Sequence, residues 1–132
     1  KVYVLTGPKQ GGAVILGNDY LMTFDSNNQL IARKPLHKNI IPVPYAGKQS
    51  DGTEIVSTIH SHLPETGDLI TSTDICTLML YEKFAKWKSH KVVSQKYLST
   101  WDCAKDELTV VEMGAVEKML KEQENANPAK QK

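Results

Sequence analysis

The sequence predicts a domain that contains both helices and strands, α/β or α+β in class, with a central mixed β-sheet flanked by helices. The first observation is length, because 132 residues suffice for one compact domain with a sizeable core and not for two. The second is order, since strand-like patterns are followed by a helical pattern, further strands and a last helix. The third is that the chain contains no internal repeat and no linker. We therefore predict one domain over 1–125 and a flexible tail over 126–132.

Each predicted element rests on a local pattern. Short apolar runs bounded by Gly, Pro and Asn clusters indicate strands, and SNN between two of them indicates a hairpin. EIVSTIHSH is the clearest strand, because a period of two places Ile59 and Ser61 on one face and His60 and His62 on the other. The segment 36–53, rich in Pro, Gly and Lys, is predicted to be a loop. The predicted strands are 2–6, 13–17, 18–25, 29–35, 54–62, 91–102 and 107–113, and the predicted helices are 71–88 and 114–125.

Composition and charge narrow the classes of function. Hydrophobic residues make up 40% of the chain and charged residues 23%, as in ordinary soluble domains. A net charge of +1 provides no basic field for a phosphate backbone, so nucleic acid is not an expected partner. No apolar run approaches the length of a membrane span. Two cysteines, Cys76 and Cys103, are too few for a disulfide framework.

The start of the chain bears on location. It begins at Lys1 without an initiator Met, which favours a processed protein or part of a longer one. We therefore expect a soluble protein that is either cytoplasmic or exported after loss of an N-terminal segment.

The stretch IHSHLPETGDLITSTD carries the main candidate site. An H-x-H triplet alone is weak evidence, because this composition produces one by chance in roughly one chain in ten. Its position strengthens it, since residues i and i+2 of a strand point the same way, and His60 and His62 end a predicted strand. Asp74 follows at the start of the next predicted helix, where Thr71 as N-cap would also make it a capping residue. Two imidazoles, one carboxylate and one open position are typical of catalytic zinc.

The same residues carry a family resemblance. HSHLPETGDLITSTD resembles the signature of the JAB/MPN (JAMM) metalloproteases, which is H-[ST]-H, seven residues and S-x-x-D. His60, Ser61 and His62 match the first three positions, and Asp74 matches the last. Thr71 stands where the family usually has Ser, and the intervening loop is one residue longer. AVILG also resembles the early G-x-x-x-G strand of the family.

The resemblance implies a fold, a metal and a reaction. The fold would be the JAB/MPN sandwich, which is cytidine-deaminase-like, and the cofactor would be one Zn²⁺ per chain. The activity would be zinc-dependent hydrolysis of a peptide or isopeptide bond in a peptide or protein substrate, with metal-bound water as the nucleophile. The residues that the family pattern would use are His60, His62 and Asp74 as metal ligands, and Ser61 with Thr71 or Ser72 to brace the transition-state oxyanion or the ligands.

The family's catalytic glutamate has no counterpart here. The chain contains no Glu in its first 53 residues, and Gln10 stands at the position where the family has this acid. The acid could lie before Lys1, or Asp19 or Asp25 could replace it from the early hairpin. Glu65 in the motif loop is a further candidate, although an exposed loop glutamate is usually only solvated. The remaining alternative is a site that binds metal without efficient chemistry.

A second function therefore stands beside the hydrolase, namely a JAB/MPN-like binding module without catalysis, with or without a metal. His37 is predicted to be a loop residue that could edge the cleft rather than a ligand. A cysteine nucleophile paired with His90 is disfavoured, because nothing in the spacing of Cys76 or Cys103 supports it. Zinc deaminases are excluded since they require H-x-E and P-C-x-x-C.

Overall fold

The computed structural model describes residues 1–45 and 53–126, which fold as an α+β arrangement of three sheets and two helices. The end of the predicted loop, 46–52, and the predicted tail except for its first residue, 127–132, lie outside the described residues, and that first residue, Ala126, is helical. The elements are β1 (Val2–Val4), β2 (Ala13–Gly17), β3 (Tyr20–Phe24), β4 (Leu30–Pro35), β5 (Ile40–Pro44), β6 (Ser57–Ser61), α1 (Ser72–Ala85), β7 (Ser89–Val93), β8 (Tyr97–Asp102), β9 (Glu107–Glu112) and α2 (Met113–Ala126).

The largest sheet has four strands in the order β6-β7-β8-β9. β6 and β7 are parallel, and their register pairs His60 with Val92, whereas the other two pairs are antiparallel. The sheet is therefore mixed, as the sequence predicted. Parallel neighbours need a crossover, and α1 provides it between β6 and β7. The start of this crossover helix lies beside the end of β6, so Asp74 in α1 is close to His60 and His62.

The N-terminal strands form two smaller sheets, β1-β3-β4 and β2-β5. The β3–β4 hairpin confirms the prediction made from SNN. The prediction of an unbroken loop over 36–53 was wrong at β5, which pairs with β2 and places Pro42 opposite Ile15 and Pro44 opposite Ala13. Proline lacks an N–H and is tolerated on edge strands, and in the described part of the chain β5 has β2 as its single neighbour.

The single strand predicted over 91–102 is two strands, β7 and β8, with a tight turn between them. The hydroxyl of Ser94 accepts hydrogen bonds from the backbone N–H groups of Lys96 and Tyr97, which fixes this turn. Serine is a turn-forming residue for this reason. The antiparallel pair predicted around CAKD is confirmed as β8 and β9.

The core lies where α1 packs against β2 and the large sheet. Its fully buried apolar side chains include Val14, Leu78 and Val92. Trp101 is also buried and donates a hydrogen bond from Nε1 to Glu82 Oε2 at 3.1 Å, which supplies the partner that a buried indole needs. Some apolar side chains of α1 face away from this core, since Phe84 is 70% exposed.

The second helix, α2, follows β9 directly, contacts β8 and β9, and has no buried residue. Both cysteines are free thiols. Neither helix, within the residues that the structure describes, is long and apolar enough to cross a membrane.

Candidate metal centre

Four side chains of types that can bind a metal meet beside the end of β6. His60 is in β6, His62 follows it, Asp74 is in the first turn of α1, and His37 is in the connection between β4 and β5. One ligand atom from each lies within 4.8 Å of the others. The three predicted metal ligands are therefore brought together, and a fourth candidate joins them.

The distances among the three predicted ligands are near those around a tetrahedral metal ion, although His60 and His62 lie closest to different oxygens of Asp74. His60 Nε2 lies 3.1 Å from His62 Nε2, and His62 Nε2 lies 3.3 Å from Asp74 Oδ2. His60 Nε2 lies 3.8 Å from Asp74 Oδ1. Metal–ligand bonds of roughly 2.0–2.1 Å give a tetrahedron edges of roughly 3.3–3.4 Å. Imidazole and carboxylate are also the donor types that zinc takes together.

The N-terminus of α1 fixes the carboxylate of Asp74. Thr71 is the N-cap, and its hydroxyl accepts a hydrogen bond from the backbone N–H of Asp74 at 3.2 Å. In return, Asp74 Oδ2 accepts from the backbone N–H of Thr71 at 3.0 Å and from its hydroxyl at 2.7 Å. The predicted capping box is therefore confirmed.

The protonation state of Asp74 also suits a ligand. Burial alone would raise the pKa of this carboxyl, but hydrogen bonds from His62 and Thr71 hold it well below the ordinary value. Asp74 is therefore ionised while it is 2% exposed. The same residue serves as a cap and presents a charged oxygen to the cluster.

A buried imidazole pair fixes the orientation of His60. His60 Nδ1 lies 2.9 Å from His90 Nε2, and His90 Nδ1 lies 2.6 Å from the hydroxyl oxygen of Thr58. When His60 offers its Nε2 lone pair to a metal, its proton is on Nδ1, so His90 must accept at Nε2 and donate from Nδ1 to Thr58. His90 thus occupies the supporting position that carboxylates or carbonyls commonly fill.

Burial keeps this pair neutral. Desolvation lowers the pKa of His60 and that of His90 to about 4. Neutral imidazole is the form that binds metals. His62 differs, because its buried Nδ1 finds no hydrogen-bond partner within 1–45 and 53–126. Its orientation comes from the backbone and from what its Nε2 contacts.

His37 is the residue that sequence reasoning placed outside the ligand set. It lies in a loop and lines the cleft, as predicted, but its Nε2 also lies 3.2 Å from His62 Nε2 and 3.7 Å from Asp74 Oδ2. Asp19 Oδ1 holds it by accepting from its backbone N–H at 2.9 Å and contacting its Nδ1 at 2.8 Å. No spacing signal points to His37, because the contact depends on the tertiary fold.

Gly17 allows the loop with His37 to approach β2. Its φ of +83° is in the left-handed region that favours glycine, and a Cβ there would collide with the backbone carbonyl oxygen of Asn39. The same Cβ would be 3.5 Å from the Cβ of His37. This position of β2 therefore has to be glycine for the loop to keep its place beside the cluster.

A cleft of about 210 Å³ opens onto the cluster. His37, His60 and Asp74 line it, together with the predicted site residues Ser61 and Glu65. Its other walls are mostly apolar, and their polar members are Lys38, Asn39 and Thr66. These lining residues are Leu16, Gly17, Pro35, Leu36, Lys38, Asn39, Ile41, Leu63 and Thr66.

The remaining predicted residues lie elsewhere. Asp25 Oδ1 accepts from the backbone N–H groups of Asn27 and Gln29 at 2.8 Å in the β3–β4 turn. Thr71 contacts Asp74 rather than the cleft, and Ser72 is the exposed first residue of α1. None of Asp25, Thr71 and Ser72 is among the described residues that line the cleft, and neither is Gln10.

Asp19, which the sequence offered as one replacement for the missing glutamate, contacts His37 and is not among the described residues that line the cleft. The Asp19 carboxylate is bound to His37, and it is His37 that faces the other ligands. Burial would raise the pKa of Asp19, but hydrogen bonds from His37 and Thr73 hold it below the ordinary value. Burial would likewise lower the pKa of His37, but the contact with Asp19 raises it.

Comparisons of the chain with family models, with curated proteins and with solved structures found no match.

Proposed function

We propose that this protein is a zinc-dependent hydrolase of the JAMM type that cleaves a peptide or isopeptide bond. The observation that carries the proposal is the convergence of His60, His62 and Asp74 beside a cleft whose wall includes His60 and Asp74. All three come from HSHLPETGDLITSTD, the stretch that resembles the JAMM signature. A cleft beside the ligands gives a substrate access, which a purely structural metal site does not need.

The order of elements around the motif supports a JAB/MPN sandwich as the finer description of the fold. A strand leads into the two histidines, a helix follows with the aspartate in its first turn, and three further strands follow in the same mixed sheet. The family assignment rests on this order and on the motif together.

The chain's own residues would hold the metal and orient the substrate. Zinc bound here would polarise a carbonyl and lower the pKa of a water molecule toward neutrality. Asp74 supplies a charged ligand that Thr71 keeps in place, and His60 supplies a neutral one that His90 keeps in place. The exposed hydroxyl of Ser61 lines the cleft, where it can donate to an oxygen of the substrate.

Glu65 is the best-placed proton acceptor for this reaction. In the part of the chain that the structure describes, it is the acid other than Asp74 that lines the cleft. The carboxylate of Asp25 is engaged in a turn, and Gln10 has no proton-accepting carboxylate. Glu65 would take a proton from the attacking water and return it to the leaving amine.

Metal content tests the first half of the proposal. We expect one zinc per chain by elemental mass spectrometry, and its loss in Asp74→Asn. Asp68→Asn is the matched control, because Asp68 is in the same loop region but pairs with Lys96 at 2.8 Å. A wild-type protein that takes up no zinc at neutral pH would refute the metal site and the hydrolase with it.

Hydrolysis tests the second half. The substrates would be an unfolded protein, a peptide-linked fluorogenic conjugate and an isopeptide-linked one. Glu65→Gln should keep the zinc and lower the rate by roughly 10²–10⁴-fold, which is the usual contribution of a general base. Glu54→Gln makes the same change outside the cleft and should leave the rate unchanged. Equal rates in Glu65→Gln and wild type would exclude Glu65 as the base.

A second candidate is a metal-binding module without catalysis. The observation that favours it is His37, whose Nε2 lies as close to His62 as the predicted ligands lie to one another. A nitrogen there competes with the open position that a catalytic zinc keeps. Stoichiometric zinc with no turnover of any of the three substrates would select this candidate.

A further inference from the structure

We propose that His37 is a fourth protein ligand of the metal, held in place by Asp19, so that three imidazoles and one carboxylate surround the ion. The inference rests on the proposed metal site and extends it to a residue outside the JAMM-like motif. It assigns a binding role to the connection between β4 and β5, which the motif does not include.

The first argument is distance. His37 Nε2 lies 3.2 Å from His62 Nε2 and 3.7 Å from Asp74 Oδ2, inside the 3.1–3.8 Å range found among the other three ligands. Four donors around one zinc ion lie roughly 3.3–3.4 Å apart in an undistorted tetrahedron. Two of the three separations of His37 Nε2 are therefore those of a fourth ligand, and the third, to His60, is within 4.8 Å.

The second argument is the direction of the ring. Asp19 accepts from the backbone N–H of His37 and contacts Nδ1, so the Nδ1 proton is directed to this carboxylate. The lone pair of neutral His37 is then on Nε2, which faces the cluster. Carboxylate, imidazole and metal in this order form a recurrent arrangement, because the carboxylate fixes both the tautomer and the ring.

The third argument is the convergence of donor atoms and of charge. His37 Nε2 and His60 Nε2 both contact the Nε2 atom of His62, at 3.2 Å and 3.1 Å. Without a metal these nitrogens can share protons as hydrogen bonds, and with their lone pairs free they can bind one shared cation instead. The charges also balance, because a divalent ion offsets the two buried carboxylates of Asp19 and Asp74, which limits the cost of burying charge.

This coordination has a consequence for the reaction. Three histidines and an aspartate already fill a tetrahedron, so any substrate oxygen or water would have to add as a fifth ligand from the side of the cleft. Zinc sites do expand to five ligands.

Nitrogen NMR of histidine-labelled protein tests the assignment without relying on activity. The chain has four histidines. On addition of one equivalent of zinc, we expect the Nε2 resonances of His37, His60 and His62 to move to metal-bound values. The Nε2 of His90 faces His60 rather than the cluster and should stay hydrogen-bonded, so it serves as the internal control.

Substitution provides the second readout. His37→Gln should weaken zinc by more than the roughly 10–100-fold that loss of an outer partner causes, measured by competition with a chelator. Lys34→Ala, at an exposed position of β4 outside the cleft lining, should bind zinc as wild type does.

The two proposals fail in different ways. Metal-bound shifts at two histidines only, or equal zinc affinity in His37→Gln and wild type, would overturn the role of His37 and leave the three-residue site intact. No shift at any histidine of the wild-type protein would overturn the metal site itself.

Discussion

Acid should destabilise the metal-free protein, because His60 and His90 are buried as neutral imidazoles. Burial lowers the pKa of each from 6.5 to about 4 in the folded state. The unfolded chain therefore binds more protons than the folded one as the pH falls through 6.5. The loss in the free energy of unfolding that these two residues cause grows as the pH falls from 6.5 to about 4, and below that pH it stays constant.

The size of the effect follows from the two pKa values. Between pH 7 and pH 5, a histidine with these values loses about 2 kcal/mol of the free energy of unfolding. His60 and His90 contact each other, so their losses do not add fully, and about 4 kcal/mol is an upper bound. His37 acts in the opposite direction, because its raised pKa gives a contribution that is complete below pH 6.5 and lost as pH rises. We therefore expect a net loss of about 2 kcal/mol.

The two buried carboxyls of the cluster do not contribute in this window, whereas buried Glu82, whose pKa desolvation raises from 4.5, stabilises the folded state as the pH falls and opposes the histidines. The pKa values of Asp19 and Asp74 are lowered from 3.8, so their contributions are present above that pH and are lost only as the pH falls through the folded values. Both contributions are constant from pH 7 to pH 5.

Urea unfolding of chelator-treated protein at pH 7 and pH 5 measures the difference. Metal must be removed first, because zinc and protons compete for the same nitrogen of His60. His90→Gln removes one of the two groups, and its stability should change less between the two pH values, whatever its stability at pH 7. Equal stability of the wild-type protein at pH 5 and pH 7 would refute the reasoning, and so would an unchanged pH difference in His90→Gln.

Three further predictions concern the cap, the cleft loop and the thiols. Thr71→Ala should lower the free energy of unfolding of the metal-free protein by about 1 kcal/mol and weaken zinc binding about 10–100-fold, while Thr71→Ser should keep most of the stability and of the zinc affinity. Chemical denaturation measures the first effect and chelator competition the second. Unchanged zinc affinity in Thr71→Ala would contradict the role of Thr71 in bracing Asp74. Gly17→Ala should lower the free energy of unfolding by about 1–3 kcal/mol, whereas Gly11→Ala should not, because the added Cβ would meet no atom there. Equal melting temperatures of the two variants would disprove the close approach of Asn39 to Gly17. Burial and neighbouring acids raise the pKa of Cys103 to about 12, so iodoacetamide at pH 8 should label the exposed Cys76 first, and equal labelling rates would contradict this burial.

Local patterns predicted the elements that local forces determine. β2 has the predicted bounds because AVILG is an isolated apolar run between turn residues, and α1 begins at the predicted cap because Thr71 and Asp74 satisfy the free N–H groups of the first turn. β5 was missed because its prolines argue against a strand. Pairing with a partner more than twenty residues away overrides that local preference.

The candidate site divides in the same way. His60, His62 and Asp74 could be predicted, since strand periodicity and the helix start place them on one short segment. His37 could not, because its place depends on Asp19 and on glycine at position 17, which act through tertiary contacts. Nor could the support of His60 by His90, since the register of β6 against β7 is a property of the folded sheet.

The compactness of the motif has a consequence for linkage between zinc and folding. Three of the four donors lie within the single segment 60–74, so they remain close along the chain when the tertiary structure is lost. If the cluster binds zinc as proposed, the unfolded polypeptide would retain a partial zinc site, and binding to it would offset part of the stabilisation that binding to the native state would provide. Because His37 is distant in sequence, the difference in affinity between the native and the unfolded chain depends on the β4–β5 connection. Zinc should raise the melting temperature of wild-type protein more than that of His37→Gln, even at concentrations that saturate both.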